Sequence, residues 1–131
     1  MLKVDSLDHL VLTVSDIDAT VGFYCDVLGM QAEVFHPVDG SCRTALKFGS
    51  QKINLHKAGG EFDPKAKQPT PGSADLCFLS QTDLAEWLVH FTNNGVEVEQ
   101  GLVARTGATG PIVSIYVRDP DRNLIEISNR V

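Results

Sequence analysis

One order of a strand, a helix and three further strands occurs twice along this chain, and that repeat constrains the fold more than any other feature. In the first copy, a mostly apolar strand is predicted at Leu7–Val14. A helix is predicted to start at Ser15, with Asp18 three residues on in the manner of a capping box, and to stop at Gly29. Three predicted strands complete the copy: Gln31–Phe35, Arg43–Phe48 and Lys52–His56.

The second copy repeats this order in the C-terminal half of the chain. A strand is predicted at Ser73–Leu79, Ser80 and Asp83 repeat the helix start, and Gly95 is the predicted helix stop. The two glycines are 66 residues apart and the two serines 65, so the copies keep nearly the same spacing. Three predicted strands follow: Glu97–Leu102, Ile112–Val117 and Leu124–Ser128.

The repeat predicts an α+β chain of two βαβββ modules. Module one covers about residues 5–57, module two about residues 73–131, and a proline-rich linker covers about residues 58–72. One module alone would leave a strand edge and an apolar face exposed, so we expect two curved mixed sheets to pair around a cavity. A length of 131 residues with 43% hydrophobic content suits a single domain of this kind.

Composition argues against several classes of protein. The formal net charge is −6 and lysines and arginines form no dense cluster, so a nucleic-acid partner is not expected. The N-terminus lacks the apolar run of a signal peptide, and no segment approaches the roughly 20 apolar residues of a membrane span. Three cysteines without a Cys-x-x-Cys pair predict neither disulfides nor a thiolate zinc site. We therefore expect a cytoplasmic protein without a membrane partner.

Strand alternation predicts polar side chains on the face of each sheet that lies away from its helix. His9, Asp75 and Glu126 occupy such positions in three strands, and Asn54 and His56 occupy them in a fourth. Imidazole nitrogen and carboxylate oxygen together suit a divalent first-row metal. Burying these groups without a metal or another partner would be costly.

Three motifs occur in order along almost the whole chain. They are Asp-His-Leu-Val-Leu at 8–12, Phe-Tyr-(x)3-Leu-Gly-Met at 23–30, and Asp-Pro-Asp-Arg-Asn-Leu-Ile-Glu at 119–126. Together they strongly resemble the vicinal-oxygen-chelate superfamily, the glyoxalase/bleomycin-resistance/dioxygenase group. Ile-Asn-Leu-His at 53–56 and Pro-Thr-Pro-Gly-Ser at 69–73, followed by Asp-Leu-Cys at 75–77, resemble more closely the glyoxalase-domain-containing protein 5 group. That group includes a bacterial member linked to virulence.

The resemblance implies a metal on these strand positions, with His9 and Glu126 as the best-matched ligands. Asp75 would be a third ligand, at a position where many members have His, whereas Asn54 stands where members often have Glu or Gln and is a poor ligand. The metal would be a divalent Ni, Zn, Co, Mn or Fe ion that acts as a Lewis acid on a carbonyl. His56, or a ligand carboxylate such as that of Glu126, would move a proton. This predicts a glyoxalase-like lyase or isomerase that acts on a small α-oxo compound or its thiol adduct.

Two other functions stay open at this point. An iron-dependent dioxygenase would need His56 to reach the metal and complete a set of two histidines and one carboxylate. A non-enzymatic small-molecule binding or resistance protein, like the drug-binding members of the superfamily, would tolerate the weak donor Asn54. Arg105 and Lys65, both predicted in loops, would either steer an anionic substrate or remain solvated. A homodimer is expected, because the linker is long enough for modules of two chains to dock or exchange.

Overall fold

The computed structural model describes residues 1–131, the whole sequence. The chain forms eight strands and two helices, and the first helix, α1, continues into a π-helical turn. Neither helix is long and apolar enough to cross a membrane. In chain order the elements are β1 (His9–Val14), α1 (Ile17–Gly22), the π-turn (Phe23–Val27), β2 (Gln31–Phe35), β3 (Arg43–Phe48), β4 (Gln51–Lys57), β5 (Asp75–Leu79), α2 (Leu84–Asn93), β6 (Gln100–Gly107), β7 (Gly110–Arg118) and β8 (Leu124–Arg130).

These elements build two four-stranded mixed sheets, which confirms the predicted α+β chain with its repeated βαβββ order. The strand order is β1-β4-β3-β2 in one sheet and β5-β8-β7-β6 in the other. In each sheet the strand before the helix pairs in parallel with the last strand of the same copy, and the remaining pairs are antiparallel. The chain divides into two compact parts, here called the first unit (Met1–Pro71) and the second unit (Gly72–Val131).

Each unit buries apolar side chains on the side of its sheet that carries the helix. Burial of each such side chain contributes about 1.5–3 kcal/mol. Tyr24 of the π-turn is fully buried in the first unit, and Phe91 of α2 is fully buried in the second. The strand residues of these cores are Leu12, Val14, Leu46, Ile53 and Leu55 in the first unit, and Ile115, Val117, Ile125 and Ile127 in the second.

Both predicted helix starts are wrong, and aspartates explain why. The cap of α1 is Asp16 rather than Ser15, and its carboxylate accepts the backbone N–H of the residue three positions on at 3.1 Å. The cap of α2 is Asp83 rather than Ser80, and it accepts the N–H two positions on at 2.8 Å. The Ser80 hydroxyl instead accepts the indole N–H of Trp87 at 3.0 Å. Aspartate caps a helix as well as serine does, and each aspartate directly precedes the first apolar residue of its helix, Ile17 in α1 and Leu84 in α2.

The sixth strand also differs from its prediction of Glu97–Leu102. The structure places β6 at Gln100–Gly107, where it pairs with β7 across an irregularity between Gly101 and Val103. Arg105 therefore lies on a strand opposite Ile112 and not in a loop. Residues 103–107 alternate weakly, and their pairing depends on the backbone groups of β7, which the local pattern does not reveal.

Candidate functional site

The predicted metal-binding residues occupy matching register positions in the two units. In the first unit, Asn54 of β4 lies opposite the β1 residue two positions after His9. In the second unit, Glu126 of β8 lies opposite the β5 residue two positions after Asp75. Each unit thus brings one pair of donors to neighbouring strands, on the face that alternation turns away from the buried core. His9 corresponds to Asp75, and Asn54 corresponds to Glu126.

His9 has one ring nitrogen engaged and one open. Its Nδ1 lies 2.8 Å from Oδ2 of Asp8, and its Nε2 makes no hydrogen bond. When Nδ1 of a neutral imidazole donates its proton to a carboxylate, Nε2 carries the lone pair. Metal-binding histidines usually have such a partner on the second nitrogen, because it orients the ring. The side chain of His9 is 40% exposed, so an ion can approach it.

The neighbouring amide of Asn54 holds a buried oxygen without a partner. Its Oδ1 has no hydrogen bond, and no other buried side-chain oxygen or nitrogen in the chain is in this condition. A buried acceptor that is left unsatisfied costs about 1–3 kcal/mol. Such an atom in a folded protein calls for a ligand, an ion or a water. The donor set of the first unit therefore fits a bound cation, although an amide oxygen is a weaker ligand than a carboxylate.

His56, two residues further along β4, is buried beneath an aromatic side chain from the following loop. The Phe62 ring meets the His56 ring edge to face, with 5.4 Å between centroids, and the Arg43 guanidinium lies 4.1 Å from the Phe62 centroid. Burial lowers the pKa of His56 below its ordinary value of 6.5, and the charge of Arg43 lowers it further, against an opposing effect of Glu61. His56 is therefore neutral at pH 7 and able to accept a proton.

The second unit holds its carboxylate in a network of hydroxyl groups. Oε2 of Glu126 accepts the Ser114 hydroxyl at 2.5 Å and lies 3.4 Å from the Ser128 hydroxyl. The two hydroxyl oxygens are 2.7 Å apart, and the Cys77 sulfur lies 3.3 Å from that of Ser128. Both serines are fully buried. One carboxylate oxygen of Glu126 is thus anchored, and the other, Oε1, makes no hydrogen bond.

Cys77 behaves as a protonated thiol in this network. Partial burial of its sulfur raises the pKa of the thiol above its ordinary value of 9.0. The Ser128 hydroxyl works against this shift, whereas the negative charges of Glu126 and Asp75 add to it. Only a thiolate is a good nucleophile or metal ligand, so Cys77 serves here as a weak hydrogen-bond donor.

Two cationic side chains considered as substrate-steering groups have different surroundings. Arg105 donates through Nε to the Tyr116 hydroxyl at 2.8 Å, and Tyr116 lies opposite Glu126 in the sheet. Lys65 stays in the loop, 3.3 Å from Asp63. Arg105 therefore shares a face with Glu126, whereas Lys65 belongs to a surface ion pair.

Sequence reasoning missed the residues that support the predicted ligands. Ser114 interrupts an otherwise apolar strand, and its position two residues before Tyr116 puts it on the face of Glu126. A lone hydroxyl in an apolar strand was the available signal. Phe62 gave no such signal, because nothing in a loop sequence shows which ring will cover a histidine.

Within neither unit do three or more His, Cys, Asp or Glu residues cluster as a metal site, so each unit by itself offers a pair of donors.

Comparison with known proteins gives a consistent picture. The model of the Glyoxalase/Bleomycin resistance protein/Dioxygenase superfamily matches residues 6–127. The virulence protein STM3117 of Salmonella typhimurium is 55% identical over 128 residues, which cover 98% of this chain and 86% of that protein. A glyoxalase domain-containing protein, RDO1 of Mycosarcoma maydis, is 56% identical over 128 residues, 98% of this chain and 70% of that protein.

Solved structures extend the comparison to the fold. An integron cassette protein from the mobile metagenome of V. cholerae is 53% identical with a TM-score of 0.94, covering 100% of this chain and 99% of that one. More distant structures share the fold alone. A lactoylglutathione lyase of Agrobacterium tumefaciens has 24% identity and a TM-score of 0.70, covering 97% and 95% of the two chains. An antibiotic-binding protein of a Streptomyces species has 18% identity and a TM-score of 0.76, covering both chains completely.

Proposed function

This chain belongs to the glyoxalase/bleomycin resistance protein/dioxygenase superfamily, and from that premise we propose that it is a divalent-metal-dependent glyoxalase-like lyase or isomerase. Its substrate is a small α-oxo compound or the thiol adduct of one. His9, Asp75 and Glu126 ligate the metal, and His56 and Glu126 handle protons. The metal is a divalent Ni, Zn, Co, Mn or Fe ion.

The donor set at the four matching positions carries the proposal. It holds one imidazole, two carboxylates and one amide oxygen. Oxygen-rich sets of this kind suit a metal that works as a Lewis acid without changing its oxidation state. The unsatisfied Oδ1 of Asn54 supports a cation or a polar ligand beside His9, because a buried acceptor without any partner would be unfavourable.

The protein's own groups supply the proton transfer. A divalent ion held by His9, Asp75 and Glu126 would supply Lewis acidity toward a substrate carbonyl, which would make the neighbouring carbon–hydrogen bond more acidic. His56 is neutral near pH 7 and its ring nitrogens make no hydrogen bond, so the imidazole is free to take that proton and return it. Glu126, anchored through Oε2, keeps its other carboxylate oxygen free of hydrogen bonds.

A binding protein without catalysis is the second candidate. Asn54 favours it, because a neutral amide replaces the stronger carboxylate donor that an enzyme of this type would use. An iron dioxygenase is a weaker candidate, since it needs His56 as a metal ligand and Phe62 packs against that ring.

We also propose that the protein acts as a cytoplasmic homodimer. Three unpaired cysteines suit a reducing compartment, and light scattering at micromolar concentration tests the dimer.

Metal analysis of protein purified without chelators tests the proposal first. Glu126→Ala and His9→Ala should each lower the metal content sharply, while Glu86→Ala on the exposed side of α2 and His36→Ala in an exposed loop should leave it unchanged. Equal metal content in all four variants would refute the ligand assignment.

Activity assays of metal-loaded protein then separate the candidate functions. Apo-protein is loaded separately with nickel, cobalt, zinc, manganese and ferrous iron, and is tested for isomerisation of the methylglyoxal–glutathione adduct and for oxygen uptake with catechols. Isomerisation supports the lyase. Oxygen uptake with ferrous iron alone would replace it with a dioxygenase. Tight binding of a hydrophobic ligand without turnover in either assay would favour the binding protein.

A further inference from the structure

A chain of three donors leads to the carboxylate of Glu126 in the second unit. Its distances are 3.3 Å from Cys77 to Ser128, 2.7 Å from Ser128 to Ser114 and 2.5 Å from Ser114 to Glu126. The two serines lie opposite each other on β7 and β8, so the sheet register sets their separation. Because both are fully buried, water does not compete for these bonds.

The direction of these hydrogen bonds follows from the number of protons that each group can donate. A hydroxyl or thiol has one proton to donate, and an ionised carboxylate only accepts. Ser114 therefore donates its proton to Glu126, and Ser128 donates its proton to Ser114. Cys77 in turn donates its proton to Ser128. All three donors point toward the carboxylate, and aligned hydrogen bonds of this kind strengthen one another.

The consequence falls on the two oxygens of Glu126. The 2.5 Å contact from Ser114 and the 3.4 Å contact from Ser128 both reach Oε2. We propose that Ser114 and Ser128 are positioning residues, which fix the Glu126 carboxylate through Oε2 and leave Oε1 as the oxygen that binds the metal. This inference rests on the proposed role of Glu126 as a ligand.

The first unit has no hydroxyl groups that anchor a donor at the corresponding positions. Asn54 corresponds to Glu126, and the residue two positions on is His56 where the second unit has Ser128. No hydroxyl group reaches the Asn54 oxygen, which remains without a partner. The anchoring chain is therefore a property of these particular serines and not of the repeated backbone.

Titration of the apo-protein with Ni²⁺ alone, followed by calorimetry, tests the inference without any activity assay. Removing an outer partner of a metal ligand typically weakens metal affinity by about 10–100-fold. We expect that loss for Ser114→Ala, an intermediate loss for Ser114→Cys, whose thiol is a weaker donor, and a smaller loss for Ser128→Ala. Ser80→Ala is the matched control, because it deletes another hydrogen-bonded hydroxyl of the second unit away from Glu126.

The outcomes separate this inference from the proposed function. Wild-type protein that binds no Ni²⁺ would overturn the metal-dependent function and the role of the serines with it. Wild-type protein that binds Ni²⁺, with Ser114→Ala and Ser128→Ala binding equally tightly, would overturn the positioning role alone. Melting curves of each variant identify the folded protein to be titrated. If Ser114→Ala does not fold, the Ser114→Cys and Ser128→Ala titrations decide. Equal losses in Ser114→Ala and the Ser80→Ala control would indicate a general structural effect and contradict the inference.

Discussion

At one register position the first unit places an amide oxygen without a partner, and the second unit places a carboxylate that accepts a hydrogen bond from the Ser114 hydroxyl. The strands that carry Asn54 and Glu126 pair in the same way in the two sheets. The difference comes from the neighbouring side chains, since Ser114 and Ser128 surround Glu126 while nothing satisfies Asn54. A repeated backbone thus sets where a donor lies, and the side chains around the donor set whether it is anchored.

A second contrast lies two residues further along the same strands. His56 in the first unit is covered by a loop phenylalanine, whereas Ser128 at the matching position of the second unit belongs to the hydroxyl network. One unit therefore holds a buried imidazole, and the other holds a carboxylate that is oriented by a hydroxyl group. The two units therefore share one strand arrangement but differ in their side chains, and these differences predict measurable contrasts in stability, in pH dependence and in surface ion pairing.

The largest expected effect concerns the turns that precede the last strands of the two units. In the second unit, fully buried Asn123 accepts the backbone N–H of Ala74 and donates to Asp119, both at 2.8 Å. Asn123→Ala removes the bond to the charged Asp119 and leaves the N–H of Ala74 without its side-chain acceptor, and at about 1–3 kcal/mol for each loss we expect a decrease of about 3 kcal/mol in the free energy of unfolding. Urea denaturation measures the change. Ser50→Ala in the exposed turn of the first unit is the control, and equal losses in the two variants would erase this difference between the units.

An intermediate effect is the pH dependence that His56 gives to the metal-free protein. Because burial lowers the pKa of His56 in the folded state, the unfolded chain binds the proton more readily. Stability should therefore be complete above the ordinary pKa of 6.5 and should fall as the pH drops through 6.5 toward the lower folded-state pKa. Urea midpoints between neutral and mildly acidic pH measure this loss.

Variants of His56 and Phe62 test whether the burial of His56 beneath Phe62 causes this loss of stability at acidic pH. His56→Gln should flatten the pH dependence, whereas His36→Gln in the exposed loop should leave it unchanged. Phe62→Ala exposes the imidazole, so the pKa of His56 measured by NMR should rise. If the pKa of His56 were unchanged in Phe62→Ala, the Phe62 ring would not be the group that shields the imidazole from water.

The smallest expected effect compares one surface ion pair from each unit. Arg118 meets Glu99 through two contacts of 3.0 Å, whereas Lys47 meets Glu33 through one contact of 3.4 Å. A bidentate arginine pair has the better geometry, so a double-mutant cycle should give the larger coupling for Arg118 and Glu99. Both couplings should fade in 1 M salt because the pairs are exposed. A larger coupling for Lys47 and Glu33 would contradict the expectation.

Much of the architecture could be predicted from the chain alone. The predicted bounds of β2 and β3 are confirmed to the residue, because Gln31–Phe35 and Arg43–Phe48 are flanked by residues that break strands. The predicted faces of His9, Asn54, Asp75 and Glu126 agree with the observed strand register, because alternation in a strand has a period of two. The predicted starts of both helices and the predicted extent of β6 were wrong, because a cap among several polar residues and a weakly alternating strand depend on contacts with distant residues.

The sequence by itself determined the repeat, the succession of strands and helices along the chain and the side of the sheet on which each polar residue lies, since these follow from local periodicity and spacing. Only the tertiary structure decided which of those residues have hydrogen-bond partners. The bond from Ser114 to Glu126 forms between the paired strands β7 and β8, and Phe62 reaches His56 from a loop. The missing partner of Asn54 likewise appears only when all of its neighbours are in place. Hydrogen bonding and burial depend on atoms that are brought together in space, and local periodicity carries no record of them.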